Sequence, residues 1–524
     1  MVSSGVPIAE GPVARSHQGV VDLGSNSVRA VIYRVDSHGD LREVENIKRS
    51  LRLGGRLEPD GSLGPAAVAE FHGVLRQFRA LFSAWAVEEV TAVATAVFRQ
   101  ALNGAAVLAA GETALGWPIR LLSGEEEARY GVLGMLETTP FEEALVVDLG
   151  GASVEISQVR ARRLVQSISL PFGAVNLTQR FLGGPDEAAG IFQLQAFLEE
   201  ALAPHPWIQE GQGPLVALGG SARSVARVHM GRRVASQVGI QQHHVPAPAL
   251  ANLLRELASK SPAERAEMLE IPKERLELLP VALAVFSAIL GGQRDWLVAC
   301  GSGLREGLMY ERLRAVRGVP EPETMAVRGA ERLLVACGGQ LRHVRHVRQL
   351  ALRLYDGLAA SPRLAKVPGA REILEVAALL RESGRIVGQA GFEGITFPMV
   401  LRSALPALSS VERAKAALVA SFRSPKQLKL DLATLESLIP PAAGPGLECL
   451  GAILLVAEAL DRTRNQVVRD VALLRGRDGW SLAVSCDQPD RLEFTLLDEP
   501  LARLGKILKE PVTLQARVVE ELTR

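Results

Sequence analysis

Through the first three-fifths of the chain, short apolar runs bounded by glycine and serine alternate with longer segments whose apolar positions recur at helical spacing. Val20-Val21-Asp22-Leu23-Gly24, followed by Ser27-Val28, returns as Val146-Val147-Asp148-Leu149-Gly150, followed by Ser153-Val154, at an offset of 126 residues throughout. Each copy reads as a strand, a turn of small residues and a second strand, Ala30 to Val35 in the first and Ile156 to Val159 in the second, which predicts two hairpins. Leu215 to Leu218 reads as a third strand, running into Gly219-Gly220-Ser221 and a helix. Between them, Val68, Phe71, Val74, Leu75, Phe78 and Leu81 predict a helix over Ala66 to Phe82. A strand over Glu89 to Ala94 and a helix containing Arg99 follow.

Strands alternating with helices imply an α/β fold, and two repeated halves imply two similar domains facing across a cleft. The pattern changes near Val319-Pro320-Glu321-Pro322. Beyond it the chain reads as helical to about residue 475, for example over Leu341 to Ala360, Ala370 to Ser383 and Leu447 to Arg464. Trp480 to Val512 shows the shorter alternations of a small α+β region. The expected division is a loose tail at 1–17, domains at 18–140 and 141–318, a helical domain at 324–475 and an α+β segment at 476–524.

Composition narrows the class. With 524 residues, 48% apolar and 22% charged, the chain can bury sizeable cores. A net charge of +1 leaves no global polyanion-binding signature, so any basic site is local. The four cysteines, Cys300, Cys337, Cys449 and Cys486, form no CxxC pair, which argues against zinc and disulfides and fits a reducing compartment. The tail lacks the apolar segment of a signal peptide. Apolar runs such as Gly451 to Val456 are cut by charges such as Glu458, and none is expected to span a bilayer. The expected location is cytoplasmic, with no membrane partner.

A strand ending in Asp-x-Gly sets a carboxylate at the mouth of a turn with little side-chain bulk, where N–H groups can approach phosphate oxygens. Gly24-Ser25-Asn26-Ser27 and Gly150-Gly151-Ala152-Ser153 are the two candidate cradles. One such turn is an ordinary hairpin; two copies and Gly219-Gly220-Ser221 together suggest a phosphate site. Glu155, seven residues after Asp148, returns to the same mouth when the hairpin folds back. Paired carboxylates beside a phosphate imply a cation, and Mg²⁺ prefers such oxygen ligands. Ser123-Gly124-Glu125-Glu126-Glu127 opens a helix; its acids either serve the helix dipole or supply a general base. Arg99 sits at a strand-to-helix junction with a guanidinium suited to phosphate or to an ion pair. There is no G-x-x-x-x-G-K-[ST] loop and no G-x-S-x-G elbow.

In order along residues 18–315, Val21 to Arg29, Ala94 to Ala101 with Asn103-Gly104, Leu122 to Arg129, Val147 to Glu155, Leu218 to Ser221 and Gly301 to Gly307 resemble the exopolyphosphatase/guanosine pentaphosphate phosphatase family. That resemblance implies two actin-like (ribonuclease H-like) domains around a cleft, followed by an all-α HD-like domain and the small α+β segment. It implies Glu127 as catalytic base, with Glu126 as the fallback. Asp148 and Glu155, assisted by Asp22, would organise Mg²⁺, and Asn26, Ser27, Arg99, Gly151, Ser153, Gly220 and Ser221 would contact phosphate. It also implies a homodimer, by analogy alone. Ala152 and Val154 depart from the family's Gly and Thr, and the methyl of Ala152 is expected near phosphate. Leu379 to Gly384 replaces the HD-like domain's His-Asp pair, leaving His346 and Asp461 as outer positions, so no metal is expected there.

The leading expectation is thus a Mg²⁺-dependent exopolyphosphatase acting on inorganic polyphosphate. A guanosine pentaphosphate 5′-phosphohydrolase is the alternative, and a non-catalytic sensor of polyphosphate or an alarmone is a third reading. Arg342, Arg345, Arg348, Arg353, Arg363, Lys366 and Arg371, against Asp356 alone, suggest a basic stripe that guides a polyanion or a merely solvated helix face. Few aromatics interleave with it, so no nucleic acid is expected.

Overall fold

The computed structural model describes residues 16–35, 41–184, 186–269, 271–317, 321–388, 390–476, 479–486 and 492–518. Most of the expected tail and the expected boundary at Val319-Pro320 lie outside these residues. The chain forms two compact units, one comprising residues up to His229 and from His244 to Pro320, the other Met230–His243 and everything after Pro320.

The first unit holds two sheets. In the first, β1 (Ser16–Leu23), β2 (Ser27–Val35), β3 (Leu41–Ser50), β4 (Glu89–Ala94) and β5 (Ile119–Leu121) take the order β3-β2-β1-β4-β5. Ser16 and His17, expected in the tail, already belong to β1. In the second sheet, β6 (Ala144–Leu149), β7 (Val154–Arg160), β8 (Arg163–Leu170), β9 (Leu215–Leu218), β10 (His243–Pro246) and β11 (Trp296–Ala299) are ordered β10-β11-β9-β6-β7-β8. Both expected hairpins form, β1 pairing antiparallel with β2 and β6 with β7.

Alternating side chains explain why these strands read as continuous apolar runs. Val21 and Leu23 pack with α1 (Pro65–Ala84) and α2 (Gly104–Leu115) on one face. Val20 and Val31 pack on the other against α3 (Gly124–Leu136). The second sheet is covered likewise: Leu145 and Val147 face α4 (Ala174–Phe181), α5 (Glu187–Leu202), α6 (Gly219–Met230) and α7 (Leu279–Leu290). Its other face receives Val132 and Met135 of α3. One helix thus packs on both sheets, Tyr130 against the first and Met135 against the second. The last helix of the unit, α8 (Leu304–Arg317), crosses α3 where glycines allow backbone contact.

In the second unit, α9 (Leu341–Leu358), α10 (Ala370–Leu380), α11 (Ser410–Ala420) and α12 (Gly444–Ala459) contribute to a large apolar core. A three-stranded sheet follows, β12 (Val468–Arg475) antiparallel to β13 (Trp480–Cys486), which runs parallel to β14 (Val512–Val518). β12 lies inside the segment expected to be helical. The expectation that no stretch could span a bilayer also needs correction: the helical stretch Pro441–Ala459 is long and apolar enough by length and composition. It is 72% buried within the protein, as a core helix is, because its apolar residues face neighbouring helices on nearly every side.

Candidate active site

The two hairpin loops share one construction. Gly24 N–H donates to Ser27 O at 3.2 Å, and Gly150 N–H to Ser153 O at 3.0 Å, leaving two-residue tips, Ser25-Asn26 and Gly151-Ala152. Behind the first tip, Ser25 O and Asn26 O accept from Gly54 N–H and Arg52 N–H. In the second loop, Gly150 O and Gly151 O accept from Ala174 N–H and Val175 N–H at the start of α4. A trans peptide carries its N–H opposite its carbonyl, so the N–H groups of Asn26, Ser27, Gly151 and Ala152 turn away from these partners. Gly173 must be glycine, since a Cβ there would lie 2.6 Å from Gly150 O.

Both loops line one cleft. It gathers Asp22, Asn26, Ser27, Glu127, Asp148, Gly151, Ser153, Gly220 and Ser221, which the sequence singled out from four separate stretches. Gly219 sits at φ +80°, and a Cβ on it would come within 2.6 Å of Asp148 Oδ1, so glycine lets the third turn close over that carboxylate.

The acidic trio resolves by helix geometry. Ser123 caps α3, accepting from Glu126 N–H at 3.1 Å, while Glu126 Oε2 accepts from Ser123 N–H at 2.9 Å. Glu126 is therefore a capping residue and does not line the cleft, which corrects its place as a fallback base. Glu127, one position on, enters the cleft with 14% of its side chain exposed. Arg99 Nη1 donates to Glu127 Oε2 at 2.9 Å and to Leu122 O at 2.8 Å. Arg99 thus holds the glutamate and is absent from the cleft lining, where a phosphate contact was expected. Burial, then the nearby Glu155 carboxylate, pushes the Glu127 carboxyl well above the usual range, against the pull of Arg99.

Asp148 and Glu155 face each other across β6 and β7. Glu155 is 3% exposed, accepts from Ser169 Oγ at 2.8 Å on the neighbouring edge strand β8, and is not part of the cleft lining. Burial and then the Asp148 charge raise Glu155 to about 7. Burial raises Asp148 to about 6. Asp22 is also pushed up by burial, offset by Arg305, whose Nε lies 3.8 Å from it, and by Arg29. Ala152 is buried and outside the cleft lining, so its methyl does not take the place expected for it near phosphate.

Sequence reasoning missed the cations as site residues. Arg29, Arg223, Arg275 and Arg305 line the cleft. Arg29 and Arg305 lay inside motifs already noted, and Arg223 follows Gly220-Ser221 by one helical step. Arg275 had no signal, since its short helix, Lys273–Leu276, lies outside every noted motif. Arg305 Nη1 is buried without a hydrogen-bond partner among the described residues. Burial, followed by the repulsion of Arg305 and Arg29, lowers Arg223 to about 10.

In the helical unit, His343, not His346, meets Asp461: Nδ1 lies 2.8 Å from Oδ2. His346 is one turn further along α9 and bonds Val468 O. His343 Nε2 is 3.5 Å from Glu382 Oε1, which Arg385 and Arg464 also engage. The expected basic stripe is largely neutralised, mostly by acids the local window did not contain: Arg345 pairs with Glu331, Arg348 with Glu375 and Arg353 with Asp470, while Arg371 pairs with Asp356 inside the window.

Twin phosphate-type hairpins on paired sheets, facing a helix-borne carboxylate, define a hydrolase of phosphoanhydride bonds with an actin-like fold. The model of the Ppx/GppA phosphatase family matches residues 31–316, and the chain belongs to that family. Its members hydrolyse phosphoanhydride bonds of polyphosphate or guanosine pentaphosphate. The guanosine-5′-triphosphate,3′-diphosphate pyrophosphatase of Aeromonas salmonicida is 29% identical over 373 residues, covering 70% of this chain and 72% of that protein. Its namesake from Aeromonas hydrophila is 28% identical over 375 residues, with the same coverage of both chains. The crystal structure of the Aquifex aeolicus family member is similar with 25% identity and a TM-score of 0.50, over 57% of this chain and 99% of that one. An exopolyphosphatase from Cytophaga hutchinsonii shares the fold, with 19% identity, a TM-score of 0.52 and coverage of 58% and 99%.

Proposed function

We propose that this enzyme is an exopolyphosphatase, removing the terminal phosphate of inorganic polyphosphate with a water activated by Glu127. The observation that carries this reading is the character of the cleft: four arginines and three small-residue turns line it, with no aromatic face among the described lining residues on which a guanine could stack. The loop N–H groups, Asn26, Ser27, Ser153 and Ser221 would hold the terminal phosphoryl oxygens. Glu127 Oε2 is held by Arg99, leaving Oε1 to accept a proton from water as its oxygen bonds to phosphorus. The bridging P–O bond breaks, and the shortened chain leaves with the electron pair. When ionised, a carboxylate raised above its ordinary range is a stronger base than a solvent-exposed one.

Mg²⁺ fits the donor set. Asp148 and Glu155 are adjacent buried carboxyls whose mutual repulsion a divalent cation would relieve. Among the described residues no group of three or more protein ligands is preformed, and Mg²⁺ ordinarily takes one or two carboxylates with waters and substrate oxygens. Asp148, with Glu155 behind it and Asp22 opposite, would hold the ion, which when bound supplies charge neutralisation at the phosphates.

A second reading, hydrolysis of guanosine pentaphosphate, is favoured by the names of the two Aeromonas relatives. Phosphate release from long polyphosphate and from guanosine pentaphosphate, with and without Mg²⁺, separates the two. Glu127→Gln is expected to lower kcat by about 10²- to 10⁴-fold while leaving the melting temperature near wild type. Wild-type turnover in that variant excludes Glu127 as the base, and a strong preference for the nucleotide excludes the polyphosphate reading.

A further inference from the structure

Arg29, Arg223 and Arg305 bring three guanidiniums to the cleft lining, where they repel one another. Acids offset that repulsion. Asp22 is in the lining and serves the cation in the reading above. Glu43 is exposed on β3 and accepts from Asn46 Nδ2 at 3.0 Å. Glu306 is partly buried in the first turn of α8, outside the lining, and its charge acts on all three arginines. Burial works against the charge of Arg305, yet Glu306 first and Asp22 second keep its guanidinium above the ordinary value.

Both oxygens of Glu306 are tethered. Oε2 accepts from Gly303 N–H at 2.9 Å, and Oε1 accepts from the Tyr33 hydroxyl at 3.2 Å. Tyr33 lies four residues after Arg29 on β2, so both side chains leave the same face of that strand. Burial, then the Glu306 charge, pushes the Tyr33 phenol well above its usual range, so the hydroxyl keeps the proton it donates. Arg305 Nη1 stays without a hydrogen-bond partner among the described residues. The acid therefore balances the charge of Arg305 without occupying that donor.

We propose that Glu306 is a fixed counter-charge, a positioning residue that lets the arginines share the cleft and limits their grip on phosphate, so that the released anion departs. The proposal rests on the cleft binding phosphate and holds for polyphosphate and guanosine pentaphosphate alike. A helix cap alone would also accept from Gly303 N–H, as Glu126 does from Ser123 N–H on α3, but its charge would not matter to an anion in the cleft.

Glu306→Gln separates the two roles, because glutamine keeps the cap and removes the charge. The measurement is isothermal titration of the full chain, with Mg²⁺ present, using inorganic phosphate and tripolyphosphate as probes. The tripolyphosphate arm carries Glu127→Gln so that no turnover intervenes. Loss of one negative charge beside the cluster is expected to tighten binding of both probes about three- to tenfold and to steepen the salt dependence. Glu306→Asp keeps the charge and is expected to stay within about twofold of its parent. In the otherwise native enzyme, Glu306→Gln is expected to lower KM for long polyphosphate and to make phosphate a stronger competitive inhibitor. Glu306→Met removes charge and cap together; it is expected to melt at a lower temperature and still to bind both anions more tightly. Unchanged or weaker anion binding in the two uncharged variants overturns the proposal. Equal tightening in Glu306→Asp overturns it too, since shape and not charge would then be the cause. A wild-type enzyme that releases phosphate from guanosine pentaphosphate but not from polyphosphate defeats the exopolyphosphatase reading, while the phosphate titration still decides the counter-charge.

Discussion

Gly307 is where a single methyl group would travel furthest into the chemistry. A Cβ there would sit 1.9 Å from Tyr130 O, 2.8 Å from Tyr130 C and 3.1 Å from Gly134 N, all backbone atoms of α3. No side-chain rotation relieves such a clash. A normal carbon–oxygen contact is about 3.3 Å or more, so Gly307→Ala requires α3 and α8 to part by more than roughly 1 Å. Glu127 lies on α3, one turn before Tyr130, so the displacement reaches its carboxylate. Arg305, which pairs with Asp22, lies on α8 and moves the other way. A misplacement of about 1 Å at a reacting group costs roughly 10²-fold in rate, and overpacking costs about 1–3 kcal/mol of stability. The assay is steady-state phosphate release well below the melting temperature, with calorimetry and circular dichroism on the same samples. The expected result is a kcat lowered by about two orders of magnitude in a folded protein of reduced melting temperature. Gly134→Ala, whose Cβ would lie 2.1 Å from Gly303 O, should behave alike. Turnover within threefold of wild type and an unchanged melting temperature in Gly307→Ala would refute the idea that this helix crossing sets the glutamate.

Arg99→Ala should lower kcat more than it raises KM, by about 10-fold or more, because it frees Glu127; a pure KM effect would return Arg99 to phosphate binding. Without divalent cation, the raised carboxyls of Asp148 and Glu155 make the folded protein bind more protons than the unfolded chain between their unfolded values and about 7. Stability should therefore rise as pH falls from 7.5 to 5.5, and the double variant Asp148→Asn/Glu155→Gln should flatten that slope, as read by thermal melts; an unchanged slope contradicts the assignment. Arg381, 4% exposed by side chain, donates to Ala420 O, Phe422 O and Glu458. Arg381→Ala leaves the buried Glu458 with Arg385, at 3.4 Å, and strips Ala420 O and Phe422 O of their donor; it should cost about 3 kcal/mol or more in chemical denaturation, whereas a loss below about 1 kcal/mol would show that the network relaxes or admits water.

What the sequence carried by itself was local and repetitive. The strand Glu89–Ala94 and the helix near Ala66 to Phe82 were legible because their apolar spacing is set by backbone geometry alone. The two hairpins were legible because small residues at the bend permit the tight turn that bulkier side chains resist. Their repetition and the order of the motifs also named the family, which the matched model bears out. Which atoms meet was not local. Ser123 could have capped the helix with any arrangement behind it, and only packing of α3 on both sheets turned Glu127 inward and left Glu126 as the cap. Arg99 reached Glu127 because a guanidinium takes the nearest carboxylate that the fold supplies. The acids that neutralise the expected basic stripe come from other segments and could not be seen in its window. Charge complementarity acts through space, whereas hydrophobic periodicity acts along the chain. Tertiary structure therefore decided the partners of Arg99 and of the arginines in the expected stripe.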